Sequence, residues 1–370
     1  MKTPQHSDLE RSDAAADATA DRTERSTSRS RRRFLANGGM YTAGLVGSAL
    51  LGACNGNNDK AVAATNDNNV YVSGPSDEAI LNFALNLEYL EAEYYLRAVT
   101  GNGLNDSDRG DNPGMVTIKG SPQVDFSSNK LIGQYAAEIA QDELHHVQFL
   151  RAALGQHAAS APAIDLKNSF AALGNLIGVS NFDPFSSPEN FLLGAFIFED
   201  VGVTAYHGGA PFIKNRTYLD AAAGILAVEA YHAGLVRTFL TAADFNNGNT
   251  TFSDLTDKIS GVRDSVDGSA NVSADYANGQ PPVAADDDQG IGKGQAVGDD
   301  NGMVSINGSM YAASNIVPTD ANGLAYDRTI AQVHNIAYAT AAQVSKGGFF
   351  PNGTNIPGHS DLSMSANNSA

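Results

Sequence analysis

Residues 136–154 read AAEIAQDELHHVQFLRAAL, and residues 222–240 read AAGILAVEAYHAGLVRTFL. Apolar residues in both stretches recur every three or four positions, as on the buried face of an α-helix. Glu143 and His146 interrupt that face in the first stretch, and Glu229 and His232 interrupt it in the second. A carboxylate that faces a protein core is unfavourable unless it is paired or bound to a metal. The repeated Glu-x-x-His pattern therefore predicts a positively charged partner between these two helices.

Two more helices carry a second matched pattern. Ser76 and Ser187 have the N-cap residue type, so helix A is expected from about residue 77 to 99 and helix C from Pro188 onward. Glu88 lies on the apolar stripe of helix A and Glu199 on that of helix C. Each is followed seven residues later by a tyrosine, Tyr95 in helix A and Tyr206 in helix C. Helices B and D, expected over about 129–154 and 218–242, carry the Glu-x-x-His pairs.

This order predicts an all-α protein, a four-helix bundle with a dinuclear carboxylate site. One glutamate from each of two helices plus Glu-x-x-His from each of the other two is the ligand set of such a site. We expect two metal ions per chain, iron or manganese with zinc not excluded. Glu143 and Glu229 would bridge the ions, Glu88 and His146 would hold one ion, and Glu199 and His232 the other; this terminal pairing could be exchanged. Other candidates stay open: Glu91 in place of Glu88 as ligand, Asp142 and His145 as solvated side chains, and His207 beside the ligands or at a helix end.

Composition narrows the class of protein. The chain has 370 residues, 42% of them hydrophobic, and a formal net charge of -18. Such a surface repels phosphate backbones, so we do not expect nucleic acid as a partner. With Cys54 as the single cysteine, internal disulfides and Cys-rich zinc or iron–sulfur sites are excluded.

The N-terminus resembles an export signal. Ser30-Arg31-Arg32-Arg33-Phe34-Leu35 precedes a modest apolar stretch that ends at Ala53, which is typical of a twin-arginine signal behind a disordered leader. Leu51-Gly52-Ala53-Cys54 also resembles a lipoprotein cleavage box, in which case lipidated Cys54 would attach the chain to a membrane. Cleavage at Ala61-Val62-Ala63 is the alternative. We expect export to the periplasm or cell envelope.

The remaining chain divides by composition. Residues 1–53 form the signal and leader, 54–75 a linker, and 76–242 the bundle with a long A–B loop and a B–C crossover. Residues 243–325 are rich in Gly, Asn and Asp and are expected to form loops, and 326–370 one further helix and a tail. A fragment starting at Gly114 recurs from Gly302, and its alternating apolar residues suggest short paired strands.

These motifs together resemble the ferritin-like superfamily of di-iron and di-manganese carboxylate proteins. Residues 81–93 (LNFALNLEYLEAE) and 347–353 (GGFFPNG) are similar to its branch of plant desiccation-related proteins and their bacterial relatives. The resemblance covers about 76–242 for the bundle and 326–358 for the tail.

The resemblance implies a redox-active dimetal protein that reacts with dioxygen or peroxide, catalase-like or ferroxidase-like, and protects against stress. Tyr95 and Tyr206 would then act in catalysis next to the ligands. The partners expected are a small oxidant and, as an open possibility, a second copy of the chain in a homodimer. The alternative is a metal-stabilised envelope or desiccation-related protein without turnover.

Overall fold

The computed structural model describes residues 75–268, 287–292, 303–320 and 322–368. The predicted export signal, Cys54 and nearly all of the predicted linker lie outside these residues. The described α-helices are α1 (Asp77–Thr100), α2 (Asp106–Arg109), α3 (Lys130–Leu154), α4 (Asn168–Ile177), α5 (Pro188–Gly209), α6 (Arg216–Asn247), α7 (Thr251–Asp267) and α8 (Ile330–Tyr338). The strands are β1 (Val116–Thr117), β2 (Ile164–Asp165), β3 (Met303–Ile306) and β4 (Ser309–Ala312).

The predicted helices A to D are α1, α3, α5 and α6, and their N-termini are capped as their residue types require. Ser76 accepts a hydrogen bond from the backbone N–H of Ala79 at 3.2 Å. Ser187 caps α5 in the same way, with Pro188 in the first turn, where a missing N–H leaves no bond unmade. Asn129 caps α3 and Asn215 caps α6. Local capping therefore fixes where each bundle helix begins.

The four long helices pack as an antiparallel bundle. The start of α1 meets the end of α3, where the Asn82 side chain donates to the His157 carbonyl at 3.0 Å. A short turn folds α6 back along α5. Tyr135 on α3 packs edge-on against Phe239 on α6, with ring centroids 5.2 Å apart. Among the described helices, only α6 is long and apolar enough to cross a membrane by composition, and its buried face is part of this bundle.

The region expected to be loop contains a helix, so that prediction was wrong over Thr251–Asp267. Its buried residues Thr256, Ile259 and Arg263 follow helical spacing, while acidic residues on the other face lower the average hydrophobicity. Its N-terminus is capped from a distance, because the Asp244 carboxylate accepts from the backbone N–H of Phe252 and Ser253. Helix α6 also runs five residues past the predicted end at Ala242 to include Asp244.

The two copies of the repeated fragment form strands but do not pair with each other. In the first copy, β1 pairs in parallel with β2, with Val116 opposite Ile164. In the second, β3 and β4 form a hairpin around Asn307 and Gly308, which both adopt positive φ. The environment of each copy therefore determines its partner.

The C-terminal segment packs onto the bundle. Helix α8, the one further helix predicted within 326–370, begins with a capping box between Thr329 and Gln332 and ends at Tyr338. Farther on, the backbone N–H of Asn355 donates to the Asn86 side chain on α1 at 2.8 Å, and Asn86 donates back to the Asn355 carbonyl at 2.8 Å. The tail is thus fixed to the middle of a bundle helix.

Buried ion pairs join α6 and α7 to α5, and the C-terminal segment to α7. Arg237 donates to Asp200 at 2.7 Å, and Arg263 reaches the same carboxylate at 3.2 Å. Arg328 is fully buried and binds Asp267 at 2.7 Å and Asp288 at 2.8 Å. The Asp-rich run at 286–288 thus contributes a buried partner for arginine, and Asp286 lies outside the described residues.

Candidate metal centre

All six predicted ligands meet at one buried point in the middle of the bundle. None of their side chains is more than one-tenth exposed. They form two groups with ligand atoms within 4.8 Å of one another: Glu88, Glu143, His146 and Glu229 in the first, and Glu143, Glu199 and His232 in the second. Glu143 belongs to both groups, as expected for a bridging carboxylate.

Glu143 lies between the two imidazoles. Its Oε2 is 3.3 Å from His146 Nδ1, and its Oε1 is 3.0 Å from His232 Nδ1. His146 Nδ1 also lies 3.1 Å from Glu88 Oε2 and 3.6 Å from Glu229 Oε1. Both histidines therefore direct the same nitrogen, Nδ1, into the cluster.

The two tyrosines bind carboxylates on the opposite helix. The Tyr95 hydroxyl on α1 donates to Glu199 Oε1 on α5, and the Tyr206 hydroxyl on α5 donates to Glu88 Oε1 on α1. Burial raises the pKa of both tyrosines well above the ordinary value, and the neighbouring carboxylates raise it further, so both keep their proton. Each tyrosine thus occupies one oxygen and leaves the other, Oε2, facing a histidine.

Glu91 is a fifth carboxylate of the cluster. It does not replace Glu88 but forms a third group with Glu199 and Glu229. The sequence predicts Glu91 only as a substitute ligand, since its stripe is shared with the more polar side of the helix. In the structure nearly all of α1 up to Tyr95 is buried, so both faces point into protein.

The remaining candidates, Asp142, His145 and His207, differ in whether they contact a residue of the cluster. Asp142 has a 39% exposed side chain, and its Oδ2 lies 3.3 Å from His232 Nε2, on the side of the ring away from the cluster. A carboxylate in this place orients a metal-binding imidazole. His145 is exposed and pairs with Gln141, and His207 contacts the Tyr326 carbonyl, so neither joins the cluster.

The protonation of the cluster reflects crowding of buried carboxylates. Burial raises the pKa of Glu88 to about 7 despite the attraction of His146. Burial and the neighbouring carboxylates raise the pKa of Glu91 and of Glu229 well above the usual value. Burial opposes charge on Glu143 too, yet the two histidines outweigh it and lower its pKa to about 2. Burial lowers the pKa of His146, but Glu88 and Glu143 raise it to about 12. The cluster thus attracts positive charge strongly.

The residues present fit two metal ions. Five buried atoms of the cluster have no hydrogen-bond partner of acceptable geometry: Glu143 Oε1, Glu199 Oε2, both Glu229 oxygens and His232 Nδ1. Buried polar atoms are rarely left so in proteins. Five carboxylates carry up to five negative charges, and two divalent cations would neutralise four of them while accepting the unpaired lone pairs.

The two halves of the bundle repeat at constant sequence offsets. Glu88 and Tyr95 correspond to Glu199 and Tyr206, each 111 residues later. Residues 76–242 match the family model described as ferritin-like domain. These residues are a ferritin-like domain. The predicted fold class and the resemblance to this superfamily are thereby confirmed.

Two curated relatives extend the similarity beyond the ferritin-like domain. The chain is 28% identical over 285 residues to desiccation-related protein PCC13-62 of Craterostigma plantagineum, covering 75% of this chain and 82% of that protein. It is 23% identical over 338 residues to ferritin-like catalase Nec2 of Nesocodon mauritianus, covering 87% of this chain and 96% of the relative. No solved structure matches the chain significantly. The similarity to the desiccation-related protein supports the branch expected from residues 81–93.

Proposed function

We propose that the ferritin-like domain binds two redox-active metal ions and reacts with dioxygen or peroxide. The observation that carries this proposal is the buried cluster with five ligand atoms that lack a hydrogen bond of acceptable geometry. Glu143 and Glu229 would be shared between the ions, with Glu88 and His146 on one side. Glu199 and His232 would complete the other side.

The chain's own residues prepare this site in three ways. Tyr95 and Tyr206 hold the terminal carboxylates by one oxygen each, so the second oxygen is oriented before an ion arrives. Asp142 fixes the orientation of the His232 ring from outside. The packed helices exclude bulk water, which strengthens each electrostatic contact. Two adjacent iron or manganese ions would supply one-electron steps that the side chains cannot.

The relatives bear on the choice of reaction. One of them is named a ferritin-like catalase, so peroxide disproportionation is one specific form of the proposal. Oxidation of Fe(II) by dioxygen is the other form. The name of the other relative connects this branch with desiccation, which fits a role in protection against oxidative or drying stress.

Metal analysis tests the proposal directly. Purified protein should contain close to two ions per chain, and a Glu143→Ala, Glu229→Ala double variant almost none. The matched control replaces one exposed carboxylate on each of the same two helices, Glu138→Ala with Asp220→Ala, and should keep both ions. Metal-loaded protein should then consume peroxide or oxidise Fe(II). If it does neither, the redox function is wrong even if metal is bound.

A second function is a metal-stabilised structural protein without turnover. The same ligand atoms without hydrogen bonds favour it, because any divalent ion would relieve the crowding of carboxylates. Zinc in protein isolated from its native compartment, together with a loss of thermal stability on chelation and no turnover, would support this alternative.

We also propose that the protein is exported to the periplasm or cell envelope and attached there through lipidated Cys54. The twin-arginine and lipoprotein patterns support this, and both lie outside the described residues. An Arg31→Lys, Arg32→Lys variant should stay in the cytoplasm, and Cys54→Ala should release the exported chain from the membrane fraction. As partners we propose a small oxidant, dioxygen or peroxide, and a second copy of the chain in a homodimer.

A further inference from the structure

Two neighbouring cavities, both lined mainly by apolar side chains, share part of their walls near the carboxylate cluster. The outer cavity has a volume of about 300 Å³ and lies among α4, α7, α8 and the segment at Phe349. Leu176 on its wall is 66% exposed, which places this wall at the surface of the described structure. The inner cavity has a volume of about 30 Å³. Both are lined by Ile197, Ile336 and Phe349, so these three side chains form the partition between them.

The inner cavity ends at the cluster. Glu91 and Gly202 line it, and Glu91 groups with Glu199 and Glu229. Gly202 occupies the position that corresponds to Glu91 in the other half of the bundle, 111 residues later. A Cβ atom at Gly202 would collide with a Glu229 oxygen and lie 3.4 Å from Glu91 Oε1. The Glu229 carboxylate therefore packs directly against the backbone at Gly202, and the cavity reaches the cluster at Glu91.

The lining selects for an apolar molecule. Apart from Glu91, the side chains around the inner cavity are aliphatic or aromatic. A bound water needs two to four polar partners, and cavities without them stay dry and take up apolar atoms such as xenon. Hydrogen peroxide has two hydroxyl donors and would lose its hydration here, whereas dioxygen forms almost no hydrogen bonds to lose. A volume of about 30 Å³ holds one such small molecule.

We infer that these two cavities are the route by which dioxygen reaches the Glu91 side of the cluster, and that Ile336 is the gate residue between them. This inference rests on the proposed function, because it names the oxidant and its path to the same site. Peroxide is not expected to use this route, because it would have to lose its hydration in the apolar inner cavity. The route therefore predicts that a change at Ile336 affects the reaction with dioxygen and not the reaction with peroxide.

Ile336 is the residue to change, because α8 carries none of the six predicted ligands. Ile336→Phe should fill the partition, and Ile336→Ala should widen it. Ile132→Phe is the matched control, since Ile132 is a buried isoleucine on α3 that lines neither cavity. All variants should keep the metal content of the unchanged protein.

The first measurement does not depend on turnover. Xenon-pressurised crystals or xenon NMR of the full chain should show xenon in the inner cavity, retained in Ile132→Phe and lost in Ile336→Phe. The second measurement uses Fe(II)-loaded protein. In Ile336→Phe, kcat/KM for dioxygen should fall about tenfold, which is the rate effect of roughly 1.4 kcal/mol, while peroxide consumption stays unchanged.

Each of the following results would overturn a stated part of the proposal. Absence of xenon from the inner cavity of the unchanged protein overturns the route. So does an unchanged kcat/KM for dioxygen in Ile336→Phe once xenon is lost. An equal loss of dioxygen and peroxide activity overturns the selectivity of the route for dioxygen. If metal-loaded protein is inert toward both oxidants, the proposed function itself is wrong, and xenon binding would then mark only a cavity for apolar solutes.

Discussion

Replacing either of the two shared carboxylates by its amide should have opposite effects on the metal-free protein. Glu143 has one oxygen next to each histidine, and its pKa is lowered to about 2 by them against the effect of burial. Glu229 has no hydrogen bond on either oxygen, and burial with four neighbouring carboxylates raises its pKa. We therefore expect Glu143→Gln to destabilise the metal-free fold and Glu229→Gln to stabilise it.

The magnitude for Glu143 follows from its pKa. A shift from 4.5 to about 2 corresponds to roughly 3 kcal/mol of folding free energy at neutral pH. Because the pKa is lower in the folded state, this stability is present above pH 4.5 and is lost as the pH falls through about 2. For Glu229 the sign reverses. Its folded pKa is raised, so the ionised carboxylate is unfavourable above its ordinary pKa, and removing that charge should add about 1 kcal/mol or more.

In the metal-bound protein we expect the two variants to behave alike. At a free ion concentration of about 100 times Kd, each bound ion adds roughly 2.7 kcal/mol to the free energy of unfolding, so two ions add about 5 kcal/mol. For a domain of this size that corresponds to an increase in Tm of about 10–20 °C. Both variants lose a shared ligand, and both should lose most of that increase.

Urea unfolding of chelated protein and calorimetry with and without added Fe(II) or Mn(II) measure these quantities. Glu138→Gln, on the exposed face of α3, is the control and should follow the unchanged protein in both states. The reasoning is refuted if both variants shift the metal-free stability in the same direction, or if either keeps the full metal-dependent rise in Tm.

Three further changes test the surroundings of the cluster. Tyr206→Phe removes the hydrogen bond to a terminal carboxylate and should weaken metal binding about 10–100-fold by titration, without unfolding the chain. Asp142→Asn should weaken it about tenfold by loosening the His232 ring, and equal affinity would show that the contact has no orienting role. Burial lowers the pKa of His334 to about 3, so stability should fall as the pH drops from 6.5 toward 3, by about 3 kcal/mol at pH 4.5. His334→Gln should lose that part of the pH dependence in urea unfolding, and an unchanged slope would contradict it.

The bundle could be predicted from sequence because its information is local. The caps at Ser76 and Ser187 and the interrupted apolar stripes are each contained within a few turns of one helix. Four such stripes of matching pattern leave few ways to bury their polar residues, so the pattern alone predicts that Glu143 lies close to His232. The same pattern predicts all six ligand candidates.

The rest depends on contacts between distant segments. Helix α7 is capped by Asp244, which belongs to the preceding helix, so a search for a cap next to Thr251 finds none with a side-chain bond. Asp142 was interpreted as solvated because its own stripe is polar, and only the packing of α3 against α6 brings it to His232. The spacing within one helix cannot reveal a partner that another helix supplies.

The two halves of the bundle differ at one position, and this difference makes the surroundings of the two expected ions unequal. Tyr95 donates to Glu199 and Tyr206 donates to Glu88 in the same way, so these matched contacts alone would make two equivalent ion positions. Glu91 and Gly202 break that equivalence, because α1 carries a carboxylate at the position where α5 has only a glycine. The added carboxylate lies on the Glu199 side, and the inner cavity opens at the same place. An ion on the Glu199 side would have an extra negatively charged neighbour and could be reached by an apolar molecule from the cavity. The other ion would have neither feature. A site built from duplicated parts would thus present two chemically different ions to an incoming oxidant.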